Sequence, residues 1–213
     1  MIKVNEISGY GAAYLDFIFL MSSSHNSRYL TKDSFSSVVF CMKSLKIETF
    51  IGEEDLTAPE YKIESFPINN PLAVEKARKI LEEKEGDYLS GFISLIYNNV
   101  VIFDEEQITE SLLDTWSSLS NILESSYDGR KEEINFLDNY PYYYTTIQEI
   151  DQFYEIQLDS SRRYLLPKEL FKKEVKKEFL KFVEFCKNEK LQFSKESSYR
   201  GLLETYNELK LSQ

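Results

Sequence analysis

The sequence predicts an α+β domain of mainly antiparallel sheet with about four helices, the longest near the C-terminus. Three observations carry that reading. Short runs rich in aromatic and β-branched residues alternate polar with apolar positions and are cut by polar turns, the pattern of half-buried strands. Longer stretches place apolar residues three and four apart behind recognisable capping residues, the pattern of amphipathic helices. The composition supports a packed core, since 42% of residues are apolar and fifteen Phe and fifteen Tyr stand against only seven Gly and five Pro. A length of 213 residues fits one domain, and the composition leaves room for a subdivision near Gly86.

The N-terminal third reads as strands over 13–20, 37–42, 46–51 and 61–66, with a Ser/Asn loop over 22–27. Asn69-Asn70-Pro71 then sets a capping Asn before a proline at the first helical turn. Leu72, Ala73, Ala77 and Ile80 continue a helix to about Glu85, which Gly86 ends. Two apolar runs, 92–97 and 100–103, flank Asn98-Asn99, a pair that tolerates the positive φ of a tight primed turn, so a hairpin is expected. Asp104, with Gln107 three residues on, begins a second helix whose apolar face is Ile108, Leu112, Trp116, Leu119 and Leu123. Strands over 142–147, 152–158 and 162–166 make a meander. Pro167 opens a long helix to about Lys190 along Phe171, Val175, Phe179, Phe182 and Cys186, with lysines on its other faces laced by Glu174, Glu178 and Glu184. A last helix, 195–209, packs through Leu202, Leu203, Tyr206 and Leu209.

Charge is distributed unevenly along this framework. Residues 85–159 hold sixteen acidic residues against two basic ones, a net −14, while residues 1–51 sum to +1 and residues 160–213 to +5. Like charges held together cost stability, so such a segment points to recognition of an oppositely charged partner. The candidate partner-binding residues are Asp104, Glu105, Glu106, Glu110 and Asp114, three of which recur every four residues on the expected second helix, with no basic residue answering them. Tyr142 and Tyr144 join them, because alternation in the 142–147 strand sends either that pair or Tyr143 outward, and exposed tyrosines suit interfaces.

Catalytic signatures are weak throughout. Consecutive Asp104-Glu105-Glu106 point around a helix start and cannot all converge on a divalent cation, so no metal and no cofactor is expected. Asp55 and Glu60-Tyr61-Lys62 carry the residue types of a metal-dependent nuclease at the wrong spacing. His25 is the single histidine, Ser22 to Ser24 have no nucleophile elbow around them, and Gly9-Tyr10-Gly11 lacks the third glycine of a phosphate loop. Cys41 and Cys186 need no disulfide and suit a reducing cytoplasm. The most apolar N-terminal stretch is ten residues long and contains Asp16, too short for a membrane span, and a sequence pI near 4.8 argues against nucleic-acid binding.

The order of hairpin, acid-rich helix with a central Trp116, tyrosine-rich meander and late amphipathic helix resembles, over residues 88–190, the small acidic immunity proteins of bacterial polymorphic-toxin systems. That resemblance implies a cytoplasmic inhibitor that binds a basic toxin or nuclease domain and blocks its active site without doing chemistry. Two other classes compete with it. One is a metal-dependent hydrolase that gathers carboxylates from different strands. The other is a structural or regulatory subunit that self-assembles, for example as a homodimer, through its tyrosine and lysine faces, the lysine face of the long helix meeting an acidic patch on a second copy.

Overall fold

The computed structural model describes residues 44–54, 62–124, 127–134, 136, 145–158 and 162–211. They belong to one compact unit, Lys43–Gln213, and the chain divides from its other unit after Met42. The strands expected over 13–20 and 37–42, His25, Cys41, Asp55, Glu60 and the cluster Tyr142–Tyr144 lie outside the described residues.

Among the described residues there are two four-stranded antiparallel sheets and four α-helices, an α+β fold. The first sheet contains β1 (Leu45–Glu54), β2 (Ile63–Pro67), β3 (Gly91–Tyr97) and β4 (Val100–Phe103) in the order β2-β1-β3-β4. Helix α1 (Pro71–Glu83) connects β2 to β3. Its Asn70 cap accepts the Leu72 N–H at 2.9 Å, and its buried side is Ala73, Ala77, Ile80 and Leu81. The β3–β4 hairpin turns at Asn98 and Asn99 with φ of 49° and 66°, the left-handed pair that a primed two-residue turn requires.

The second sheet is β5 (Glu132–Ile134), β6 (Thr145–Ile150), β7 (Phe153–Leu158) and β8 (Arg162–Pro167) in sequential order; the last three are the expected meander, and β5 is a strand the sequence reading does not include. In β7 the inward residues Tyr154, Ile156 and Leu158 are buried while Phe153, Glu155 and Gln157 are half-buried on the other face, the period-two signature of a strand.

Helix α3 (Lys168–Cys186) joins the sheets, packing on β1 as well as on β7 and β8. Near its start Phe171 lies 5.5 Å from the ring of Tyr154, and further along Phe179 and Phe182 lie 6.0 and 5.7 Å from Trp116, which is fully buried on α2 (Leu112–Ser120). Burying three such rings along one helix, against Tyr154 and Trp116, supplies a large share of the apolar area removed from water. Helix α4 (Tyr199–Leu211) packs on α2 and α3 through Leu202 and Tyr206. Position 86 lies within this unit: Gly86 has φ 83°, and its carbonyl accepts the Ser194 N–H at 3.0 Å, bringing the segment before α4 onto the end of α1.

Two expectations are corrected. The single helix from Asp104 to Leu123 is broken into a 3-10 turn, an extended link, α2 and a second 3-10 turn (Asn121–Leu123). Glu178, expected among acids on a solvated face, is buried at 3% exposure. Its Oε1 accepts the Thr49 N–H at 3.0 Å, one residue short of the first β1–β2 pair, Phe50 with Pro67, and its Oε2 accepts from Lys181 at 3.0 Å. A helix carboxylate thus supplies a partner that β2 does not reach.

Candidate functional site

The acidic segment begins where β4 ends, at the outer edge of the first sheet. Asp104 is in extended conformation. Its carboxylate accepts the Glu106 N–H at 3.0 Å while its own N–H donates to Gln107 Oε1 at 2.8 Å, the reciprocal capping box that the Asp–Gln spacing predicts. The box caps only one 3-10 turn, Glu105–Gln107. Ile108 then returns to extended backbone, and Thr109 pairs with Gly91 of β3 through two 2.9 Å hydrogen bonds. Continuing the helix would forfeit this sheet pairing and the burial of Ile108, so tertiary contacts override a sound local cap.

That break scatters the five acids. Glu105 and Glu106 are exposed, and no cation lies within 4.0 Å of either among the described residues. Glu110 is exposed and sits 3.4 Å from Lys84 Nζ, an interaction of small worth at such exposure. Asp114 is half-buried and accepts from the hydroxyls of Ser111 and Ser198, which fastens the start of α2 to the segment before α4. Asp104 is taken up by its cap. The i,i+4 acidic row therefore does not exist as one helix face, and Ile108, Leu112, Trp116 and Leu119 are buried in spite of the break. Tyr142 and Tyr144 lie outside the described residues.

Elsewhere several acids of the −14 segment meet cations. Arg130 Nε stands 3.1 Å from Glu132 and 4.0 Å from Asp128, Arg163 stands 3.8 Å from Glu155, and Lys168 pairs with Glu149. These pairs leave the 3-10 turn at the sheet edge as a place where, among the described residues, negative charge faces solvent without a neighbouring cation.

The strand that leads into that turn carries two exposed apolar residues at its other end, next to the Asn98-Asn99 turn. Val100 and Val101 are 50% and 48% exposed on β4, the outermost strand of its sheet. A strand edge offers unpaired backbone groups, and charge placed beside it discourages indiscriminate pairing. The arrangement can accept charge-assisted hydrogen bonds from Lys or Arg while offering a small apolar surface. Strand alternation carries a signal for Val101 but none that tells an edge strand from a central one.

Among the described residues no group of three or more His, Cys, Asp or Glu side chains is placed to hold a metal ion, and no helix is long and apolar enough to cross a membrane. Cys186 is a buried free thiol whose pKa burial pushes up. The chain matches no known protein family, no curated protein and no solved structure.

Proposed function

We propose that this chain is a protein-binding module that docks a basic partner on the acidic sheet edge formed by Glu105, Glu106 and Glu110, with Val100 and Val101 exposed on the same edge strand. The observation that carries the reading is the pair Glu105 and Glu106, exposed and with no cation within 4.0 Å among the described residues, in a segment of net charge −14. Uncompensated charge on a surface that also displays apolar side chains favours fast, oriented encounter with an oppositely charged protein. In its specific form the proposal is a cytoplasmic, immunity-type inhibitor that covers the active site of a basic toxin or nuclease domain and performs no chemistry. Its support is the charge profile together with the order of elements over residues 88–190.

The test is to co-purify a basic partner from the source cytosol, with the product of the neighbouring open reading frame as first choice, and to measure association rates at two ionic strengths. Glu105→Lys, Glu106→Lys and Glu110→Lys combined should slow association about 10- to 100-fold at low salt and flatten its salt dependence, since screening acts over about 10 Å at 0.1 M. Asp114 is kept, because its hydrogen bonds to Ser111 and Ser198 hold α2. Wild-type rates in the triple variant would remove the sheet edge from the interface.

A further inference from the structure

Among the described residues β4 is the outermost strand of its sheet, with β3 as its one strand neighbour. Tyr97 stands opposite Val100 across the Asn98-Asn99 turn, and Ile96 stands opposite Val101. The pair that flanks a two-residue turn exchanges its backbone hydrogen bonds, and the next pair along does not. Val101 therefore turns its N–H and C=O away from β3, along the open edge. The turn is braced, since Asn98 N–H donates to Ser44 O at 2.9 Å and Asn98 Oδ1 accepts the Ser44 N–H at 3.1 Å. Chemistry changes along this edge. Val100 and Val101 are exposed at the hairpin end, and Glu105 follows Val101 by four residues, at most about 14 Å of chain. The other strand edges lack this combination. At the β2 edge Glu64 and its neighbour Glu53 already meet Lys76 at 3.3 and 3.4 Å, β8 carries Arg162 and Arg163, and β5 packs against α2.

We infer that the basic partner is held by strand addition: an extended segment of it pairs antiparallel with β4, with Lys or Arg opposite Glu105 and Glu106 and apolar residues opposite Val100 and Val101. The inference rests on the function proposed above and names how the partner is gripped. Main-chain hydrogen bonds at Val101 supply the attachment, and the side chains on either side of it set the register. Antiparallel is the sense of the strand pairs in both sheets, and it is the slightly more stable one per residue. That sense fixes the order of the partner's residues as two cations, two or three spacers, then two apolar residues. Acids placed beside an open edge also deter chance pairing, so the edge selects a strand that brings the opposite charge. So short an edge makes one part of a larger contact and holds an isolated peptide weakly.

The probe is an end-capped fluorescent peptide, Lys-Lys-Thr-Thr-Thr-Val-Val, titrated with the full chain at low salt and read by anisotropy. Hydrogen exchange of the Val101 amide, followed by NMR, should slow at least about tenfold at saturating peptide. Reversing the peptide sequence, or N-methylating its first Val, should each weaken binding at least about tenfold, because the first loses the charge register and the second the main-chain bond. Glu105→Lys with Glu106→Lys should weaken it as much and invert its salt dependence. Val101→Pro removes the outward N–H without touching the bonds to β3, and it should also weaken binding, with circular dichroism and melting checking the fold. The N-methylated peptide asks the same question of the unaltered protein. No binding at about 1 mM peptide, a reversed or N-methylated peptide bound as tightly as the parent, or an unprotected Val101 amide would each overturn the inference. Binding that needs Glu105 and Glu106 but ignores N-methylation removes strand addition and leaves the acidic docking surface standing. Loss of that surface is read separately, from the association rates of the captured partner.

Discussion

Glu178 shows how a single side chain holds two elements in register. Its carboxylate is buried between α3 and β1, and it satisfies the Thr49 N–H where the β1–β2 ladder has run out. A buried backbone donor left without a partner costs about 1–3 kcal/mol. Glu178→Ala is therefore expected to destabilise the protein by about that amount, read as a lower urea midpoint. Glu178→Gln keeps an acceptor oxygen in place and should lose about half as much. Equal midpoints for Ala and wild type would show that Thr49 finds another acceptor. Asp114 works by the same logic, spending its negative charge on two serine hydroxyls, one of them 84 residues away at Ser198, rather than on a partner.

At the scale of elements, the glycines separate positions where the fold leaves no room from those where it does. A Cβ on Gly91 would lie 2.1 Å from Phe50 O and 2.8 Å from Leu112, because β1 and α2 both close on β3 at this point, where Thr109 also pairs. Gly201, within α4, would meet nothing within 4 Å. Gly91→Ala should force the strands apart and lower the melting temperature by many degrees. Gly201→Ala should raise stability by about 0.5–1 kcal/mol, since a helix-interior glycine costs that much relative to alanine. Thermal melts of the two variants check both signs, and a neutral Gly91→Ala would contradict the close approach.

For the molecule as a whole, two packed phenols, Tyr127 ahead of β5 and Tyr154 on β7, set an alkaline limit. Desolvation foremost, with the charges of Glu132, Glu149 and Asp128 adding to it, pushes Tyr127 from its ordinary value of 10.0 up to about 12. Tyr154 is raised in the same direction by desolvation and then by Glu149. A raised folded value means that the folded state keeps its proton while the unfolded state ionises near pH 10. The stability these residues contribute is thus complete below about pH 10 and declines as pH climbs towards about 12. Urea midpoints should be flat up to about pH 9.5 and fall above it, with late-titrating phenolate absorbance appearing along with unfolding. Phenols that all titrate near pH 10 in the folded protein would refute this. Acidic pairs respond at the other end of the scale: hydrogen bonds from the Tyr206 hydroxyl and Lys187 hold the Glu184 carboxyl below its ordinary value, so its contribution is lost as pH falls through that lowered value.

Much of this structure was legible in the chain because the signals are local. Asn70-Pro71 starts α1, Asn98-Asn99 turns the hairpin, Asp104 and Gln107 form their capping box, and helical spacing buries Phe171, Phe179, Phe182 and Cys186. Each works through backbone dihedrals or hydrogen bonds reaching only a few residues. The charge partition, too, is a property of the sequence alone. Tertiary structure alone decided that the helix begun at Asp104 stops after one turn, because Thr109 pairs with Gly91 across the sheet edge. It alone turned Glu178 inward to a strand 129 residues away and drew Asp114 to Ser198, leaving Glu105, Glu106 and Glu110 as the exposed members of the expected acidic row. Hydrophobic period and charge count describe a side chain's chemistry and its face, whereas its partner depends on which distant segment the packed core brings against it.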